Sequence, residues 1–266
     1  MSATFEKLGL LRTTFAPPSI CLWKICDRPA KIPHMYPRRL IIQNSSFVHV
    51  FFRCHSRNFF LKPKEIKDQL LYLWAKYKKK YGILIYDFIL MDNHAHLLIK
   101  TPNQLSLSNF MRTVNSLLAR FINNYFKRDS QAIRERFKSP IVSTESYFLQ
   151  LMPYIWLNRF KADGSKPHTD LYCSACWRLN HGCFSKIALN EDEIKLFAQL
   201  LDPYETANIN PGKSVKKFVL NLLNAAISKI SIFKQEVFEN SHTIGDSEAV
   251  SFRSELLAAF RREAEP

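Results

Sequence analysis

The chain of 266 residues has only 6 glycines, a shortage of acidic side chains and no long apolar run. So little glycine excludes a collagen-like or glycine-rich low-complexity chain. No stretch reaches the roughly 20 uninterrupted apolar residues of a membrane helix, so no membrane partner is expected. An apolar block ahead of a small-residue cleavage site is also missing near the N-terminus, which carries Lys7, Arg12, Lys24 and Arg28 instead. A secretory signal is therefore not expected, and a cytoplasmic location is. The cysteines Cys21, Cys26, Cys54, Cys173, Cys176 and Cys183 then read as free thiols of a reducing compartment. No internal repeat is visible.

Hydrophobic residues make up 47% of the chain, with 21 phenylalanines, which is ample material for a core. Lys and Arg number 38 against 23 Asp and Glu, leaving a net charge of +15. That charge is uneven: residues 1–184 hold 28 basic and 11 acidic side chains, net +17, whereas residues 185–266 hold 10 and 12, net −2. The first two-thirds are expected to meet a polyanion, most simply nucleic acid.

Residues 1–34 carry Pro17, Pro18, Pro29 and Pro33 without sustained periodicity, and read as an irregular leader, with Met35 an alternative start. The run Phe47–Cys54 is rich in β-branched and aromatic residues and reads as a buried strand. Lys64–Lys80 follows as a helix with Ile66, Leu70, Leu71, Leu73, Trp74 and Tyr77 on one face, ended by Gly82. Two apolar runs, Ile83–Leu90 and His96–Ile99, flank Met91-Asp92-Asn93 and predict a β-hairpin. Ser106–Phe126 predicts an amphipathic helix, Ile141-Val142 a short strand, and 145–158 a further helix. The order β-α-β-β-α-β and then α predicts an α+β fold, a ferredoxin-like antiparallel sheet with helices on one face, over residues 35–184. Residues 185–266 read as a small C-terminal helical appendage, with helices beginning near Asn190, Ser214 and Ser247.

Within the hairpin, His94 and His96 lie two apart on a strand, so both imidazoles share a face and Ala95 opposes them. Such a pair suits one divalent ion with open coordination positions, the arrangement that Lewis-acid chemistry on a phosphodiester requires. The plainer alternative is two histidines bonded to solvent or backbone. Tyr154 and Asn158 are four apart in the expected helix and hence neighbours on it. A tyrosine hydroxyl can attack phosphorus, and an amide one turn on can offer its oxygen to the same metal. The alternatives are a core tyrosine and a helix cap. Cys173-x-x-Cys176 with His181 and Cys183 invites a zinc reading, but structural zinc sites separate their second ligand pair by more than one residue.

Three segments taken together, Leu90-Met91-Asp92-Asn93-His94-Ala95-His96-Leu97-Leu98-Ile99, Arg136-Phe137-Lys138-Ser139-Pro140 and Tyr154-Ile155-Trp156-Leu157-Asn158, resemble the IS200-like, single-tyrosine HUH transposases. The match is best to the branch associated with repetitive extragenic palindromes. The resemblance implies a bacterial cytoplasmic protein, nucleoid-associated when DNA-bound, acting as a monomer or homodimer on single-stranded or hairpin DNA. It assigns His94 and His96 as ligands of Mg2+ or Mn2+, Asn158 as a third ligand, and Tyr154 as the nucleophile that keeps the 5′ phosphate and frees a 3′ hydroxyl. Arg112, Arg120, Arg136 and Lys138 are the expected DNA-binding cations.

Departures from the family pattern are Asp92 where a proline is common, Arg159-Phe160-Lys161 after Asn158, and Pro153 inside the tyrosine helix. Proline there removes a backbone bond and is expected to kink the helix, tilting the nucleophile. The alternative function is accordingly a catalytically impaired, transposase-derived DNA-binding protein.

Overall fold

A computed structural model describes residues 42, 44–134, 136–204 and 215–243. The expected leader (1–34) and the helix expected from Ser247 lie outside the described residues.

Three antiparallel strands form the sheet in the order β1-β3-β2, with β1 at Ser46–Arg53, β2 at Leu84–Leu90 and β3 at His94–Thr101. The β2–β3 turn is closed by the Met91 N–H donating to the His94 carbonyl at 2.9 Å. Register places Arg53 opposite His94 and Phe51 opposite His96. Alternation along the strands separates two cores. Val48, Val50 and Phe52 of β1 join Ala95, Leu97 and Ile99 of β3 in the larger one.

That larger core is closed by α1 (Lys64–Lys78) and α2 (Gln104–Tyr125), which bury Trp74, Leu70, Phe110 and Val114 among others. α1 ends through one 3-10 turn at Gly82, whose φ of +65° is the left-handed conformation that glycine adopts without strain. α2 starts two residues before the expected Ser106, because the Asn103 side chain caps it by accepting from the Ser106 N–H at 2.9 Å.

The fourth strand expected near Ile141 is an interrupted edge. Ile133, Lys138 and Ile141 pair antiparallel with β1 one at a time, with Cys54, Phe51 and Val48. The Pro140 carbonyl accepts from His49 N–H at 3.0 Å, but proline returns no donor, so a continuous ladder fails there.

Helices are not confined to one face. The opposite face is covered by α3 (Glu145–Trp156), α5 (Ser174–Leu179) and α7 (Val215–Thr243), around a second core that includes Tyr86, Ile89, Leu98, Phe148, Met152 and Trp156. β2 and β3 are apolar on both sides, and a sheet of that kind needs cover on both. α4 (Asn158–Asp163) follows α3 after one residue, Leu157. Beyond residue 185, Phe197 of α6 (Glu191–Ala198) joins the first core, whereas Tyr204, Val219 and Leu223 join the second. Asp202 fixes this return: its carboxylate accepts from Lys78 Nζ at 2.5 Å and from the Ile85 N–H at 2.7 Å.

Candidate active site

The face of the sheet under α3 carries three histidines. His94 and His96 stand on it together, as expected, and His49 of β1 joins them, its ring centroid 5.1 Å from that of His96. His49 Nε2 and His96 Nδ1 are hydrogen-bonded at 2.9 Å in a buried setting. His94 Nδ1 meets Asn93 Oδ1 at 2.6 Å. An amide oxygen only accepts, so His94 carries its proton on Nδ1 and presents the Nε2 lone pair. Burial keeps all three rings neutral: it drives His49 down to about 3 and His94, helped by Arg53 and Arg159, to about 4. His96 lies well below the ordinary range, through burial first and then the neighbouring His49 and His94. Neutral imidazole is the ligating form.

Tyr154 lies over this pair. Its ring centroid is 6.0 Å from His96 and 5.9 Å from His49, both edge-on. α3 runs unbroken through Pro153, and the tyrosine it carries faces the histidines. Lys161, on α4, places its ammonium 5.1 Å from the Tyr154 ring centroid. Much of that side chain is open to solvent, yet its amine end is crowded enough that desolvation lowers it, and its charge reaches His96.

Asn158 does not continue the tyrosine helix. α3 ends at Trp156 and Asn158 opens α4, with its amide nitrogen donating to the Tyr154 carbonyl at 2.8 Å and the Ile155 carbonyl at 3.2 Å. The side chain thus caps the end of α3, and its Oδ1 is the atom left to face a ligand.

Two acids position these elements. A bulge between Ile85 and Asp87 breaks alternation in β2, letting Asp87 point beneath α3 beside Tyr86. Asp87 is fully buried and accepts from Trp156 Nε1 at 2.9 Å, Ser174 Oγ at 2.8 Å and the Tyr204 hydroxyl at 3.0 Å. Burial raises it to about 6 despite Arg178 and those three donors. Asp92 explains itself at the turn where the family pattern favours proline. It accepts from Lys67 at 2.8 Å and from Arg159 at 3.2 Å, and these cations hold it below its ordinary value against the effect of burial.

Of the expected DNA cations, Lys138 adjoins the site, its ammonium 5.7 Å from the ring of Phe51, which stacks on His96. Arg136 is exposed on the same edge segment. Arg112 and Arg120 are exposed on α2, across the sheet from the histidines. Arg53, at the β1 residue paired with His94, and Lys161 are site cations that the sequence reading missed. The cysteines are divided: Cys173 packs in the α3 core, whereas Cys176 and Cys183 share the other core and hydrogen-bond each other. Among the described residues no group of three or more His, Cys, Asp or Glu side chains is placed to hold a metal ion. Nor, among them, is any helix long and apolar enough to cross a membrane.

Residues 43–153 match the family described as IS200-like transposases, a segment that contains His94 and His96 and stops one residue before Tyr154, leaving Asn158 outside. No protein with a curated description matches the chain. Among solved structures, a REP-associated tyrosine transposase bound to a REP hairpin is 12% identical, with a TM-score of 0.46 over 59% of this chain and 93% of the other. A transposase from Deinococcus radiodurans R1, named as putative, is 14% identical, with a TM-score of 0.33 over 46% of this chain and 92% of the other. Neither likeness is close enough to transfer a residue's role. Over residues 43–153 the chain is similar to the IS200-like transposase family.

Proposed function

We propose that the chain is a metal-dependent DNA strand transferase, cutting and rejoining a single strand beside a hairpin through a covalent bond to Tyr154. The observation that carries the reading is Tyr154 set edge-on over the neutral rings of His96 and His49, 6.0 Å from His96, whose strand neighbour on the same face is His94. The donor set fits a divalent ion: His94 presents Nε2, and His96 does so when its Nδ1–H donates to His49. Such an ion, Mg2+ or Mn2+, would supply Lewis acidity toward a phosphate oxygen when bound. The remaining work falls to the chain. Tyr154 Oη attacks phosphorus, the bond from phosphorus to the 3′ oxygen breaks, and the 5′ phosphate stays on the tyrosine while the 3′ oxygen leaves as a hydroxyl. Lys161 offers positive charge over the ring of the attacking tyrosine, and Lys138 and Arg53 line the approach of the strand. The phosphotyrosine conserves the energy of the cut bond, so a second 3′ hydroxyl reverses the attack without a nucleotide cofactor.

The test uses a hairpin oligonucleotide with a single-stranded flank, labelled at its 3′ end, and Mn2+. A covalent adduct is expected with the natural chain and none with Tyr154→Phe, which loses only the hydroxyl and keeps its DNA affinity. Cutting by Tyr154→Phe would overturn the mechanism. Asn158, whose amide is engaged with backbone, favours a second reading in which the chain binds DNA without cutting it. Binding with no adduct on any hairpin selects that reading.

A further inference from the structure

An aromatic surface lies on the α2 side of the sheet, at the end where β3 begins. Phe59 is 64% exposed, and Tyr125 and Phe126, at the end of α2, are 45% and 41% exposed. The ring of Phe126 lies 5.6 Å from that of Phe60 and 5.0 Å from that of Tyr125, so these three rings form one patch, beside which Phe59 is the chain neighbour of Phe60. The Arg128 guanidinium sits 4.2 Å above Phe60, and Arg57, Lys62 and Lys127 are exposed on the same two segments. The acid that touches the patch is Glu65, which accepts from the Tyr125 hydroxyl at 3.3 Å.

The loop bearing Phe59 is fastened to the turn that presents His94. The Cys54 N–H donates to the Asn93 carbonyl at 2.8 Å, and the Leu61 N–H to the Asp92 carbonyl at 2.9 Å. The Asn93 amide donates to the Arg57 carbonyl at 3.3 Å while its oxygen holds His94 at 2.6 Å. Patch and histidine therefore share one rim.

Exposed rings interleaved with cations match a single nucleic-acid strand, in which every base has a π face and every linkage a negative charge. A protein partner fits less well, because protein interfaces are depleted in lysine and this surface is ringed with cations. We propose that the patch holds the unpaired DNA strand flanking the cut phosphate, with bases stacked on Phe59, Tyr125 and Phe126 and phosphates against Arg57, Lys127 and Arg128. The assignment rests on the strand-transfer reading above for its substrate and extends it to a second place of contact.

The full chain is titrated by fluorescence anisotropy against a hairpin with a single-stranded flank and against the same hairpin without one. Phe59→Ala and Phe126→Ala are each expected to weaken the flanked hairpin about tenfold, the scale of one lost stacked base. They leave the blunt hairpin and the salt slope unchanged, whereas Arg128→Ala reduces the slope by about 0.7 for one single-strand phosphate contact. Circular dichroism confirms that the exposed substitutions leave the fold intact. Equal affinity of natural chain and aromatic variants for the flanked hairpin overturns the surface, whether or not an adduct forms. A change of oligomeric state without a change in DNA affinity overturns it too, in favour of a protein contact. Aromatic-dependent binding with no Tyr154 adduct in the natural chain upholds the surface and overturns the strand-transfer chemistry instead.

Discussion

Replacing Asp87 by Asn should stabilise the protein at alkaline pH, although the residue sits at the centre of a buried network. The carboxyl is raised from 3.8 to about 6, chiefly by burial. A shift of that size means that holding the charge at neutral pH costs about 3 kcal/mol of folding stability. The folded value lies above the unfolded one, so the stability that this carboxyl contributes is complete below 3.8 and is lost as pH rises through about 6. Roughly 1.4 kcal/mol of that loss falls between pH 5 and pH 8. Asp87→Asn removes the titration and keeps an amide oxygen where Trp156, Ser174 and Tyr204 donate. The variant should therefore gain about 1.4 kcal/mol relative to the natural chain across that interval. Asp87→Ala instead strands three buried donors, at about 1–3 kcal/mol each, and should be destabilised throughout with no comparable pH slope. Urea unfolding at pH 5, 6, 7 and 8 on the three proteins measures both. If Asp87→Asn proves as damaging as Asp87→Ala at pH 8, the negative charge itself holds the network through Arg178, and the dominance of burial is refuted.

His49→Leu should weaken Mn2+ binding about 10- to 100-fold by freeing the His96 tautomer, with partial recovery in His49→Gln, whose amide oxygen can accept from His96; calorimetric titration in which both variants bind like the natural chain would contradict it. Asn158→Ala distinguishes cap from ligand: a cap predicts about 1 kcal/mol lost in thermal unfolding with Mn2+ affinity unchanged, and a ligand predicts the affinity falling with it. Gly82→Ala meets only ordinary contact with Pro102 at 3.5 Å, so the left-handed backbone alone should cost about 1–2 kcal/mol in the same assay.

β1 is legible in the sequence as a run of β-branched and aromatic residues, and α1 and α2 because each has a 3.6-residue period that packs against one core. The helix carrying Tyr154 was legible in position but not in extent. Nothing in Leu157-Asn158 announces that the chain halts there, since the break depends on the Asn158 side chain turning back onto two carbonyls. His49 was invisible for a related reason. Inside Phe47–Cys54 a lone histidine looks like core, and its partner His96 is 47 residues away, brought diagonally beside it on the same face only by the β1–β3 register. Asp87 sits in an apolar run whose alternation puts it on the wrong side until the bulge moves it. The paired histidines needed no such help, because a strand places residues two apart on one face whatever surrounds it.

His94, His96 and Tyr154 meet within one polypeptide, with the tyrosine 6.0 Å from His96 and no second copy needed to bring them together. This sets a stoichiometry for the proposed chemistry. One hydroxyl can carry one phosphoryl group, so each chain retains a single DNA end at a time. Exchanging two ends must then be sequential, a released 3′ hydroxyl returning to the same phosphotyrosine, or must draw on two chains that each own a full site. Mass spectrometry of trapped adducts would count one attached strand per polypeptide in either case, and the order in which strands appear separates a single chain working twice from two chains working once.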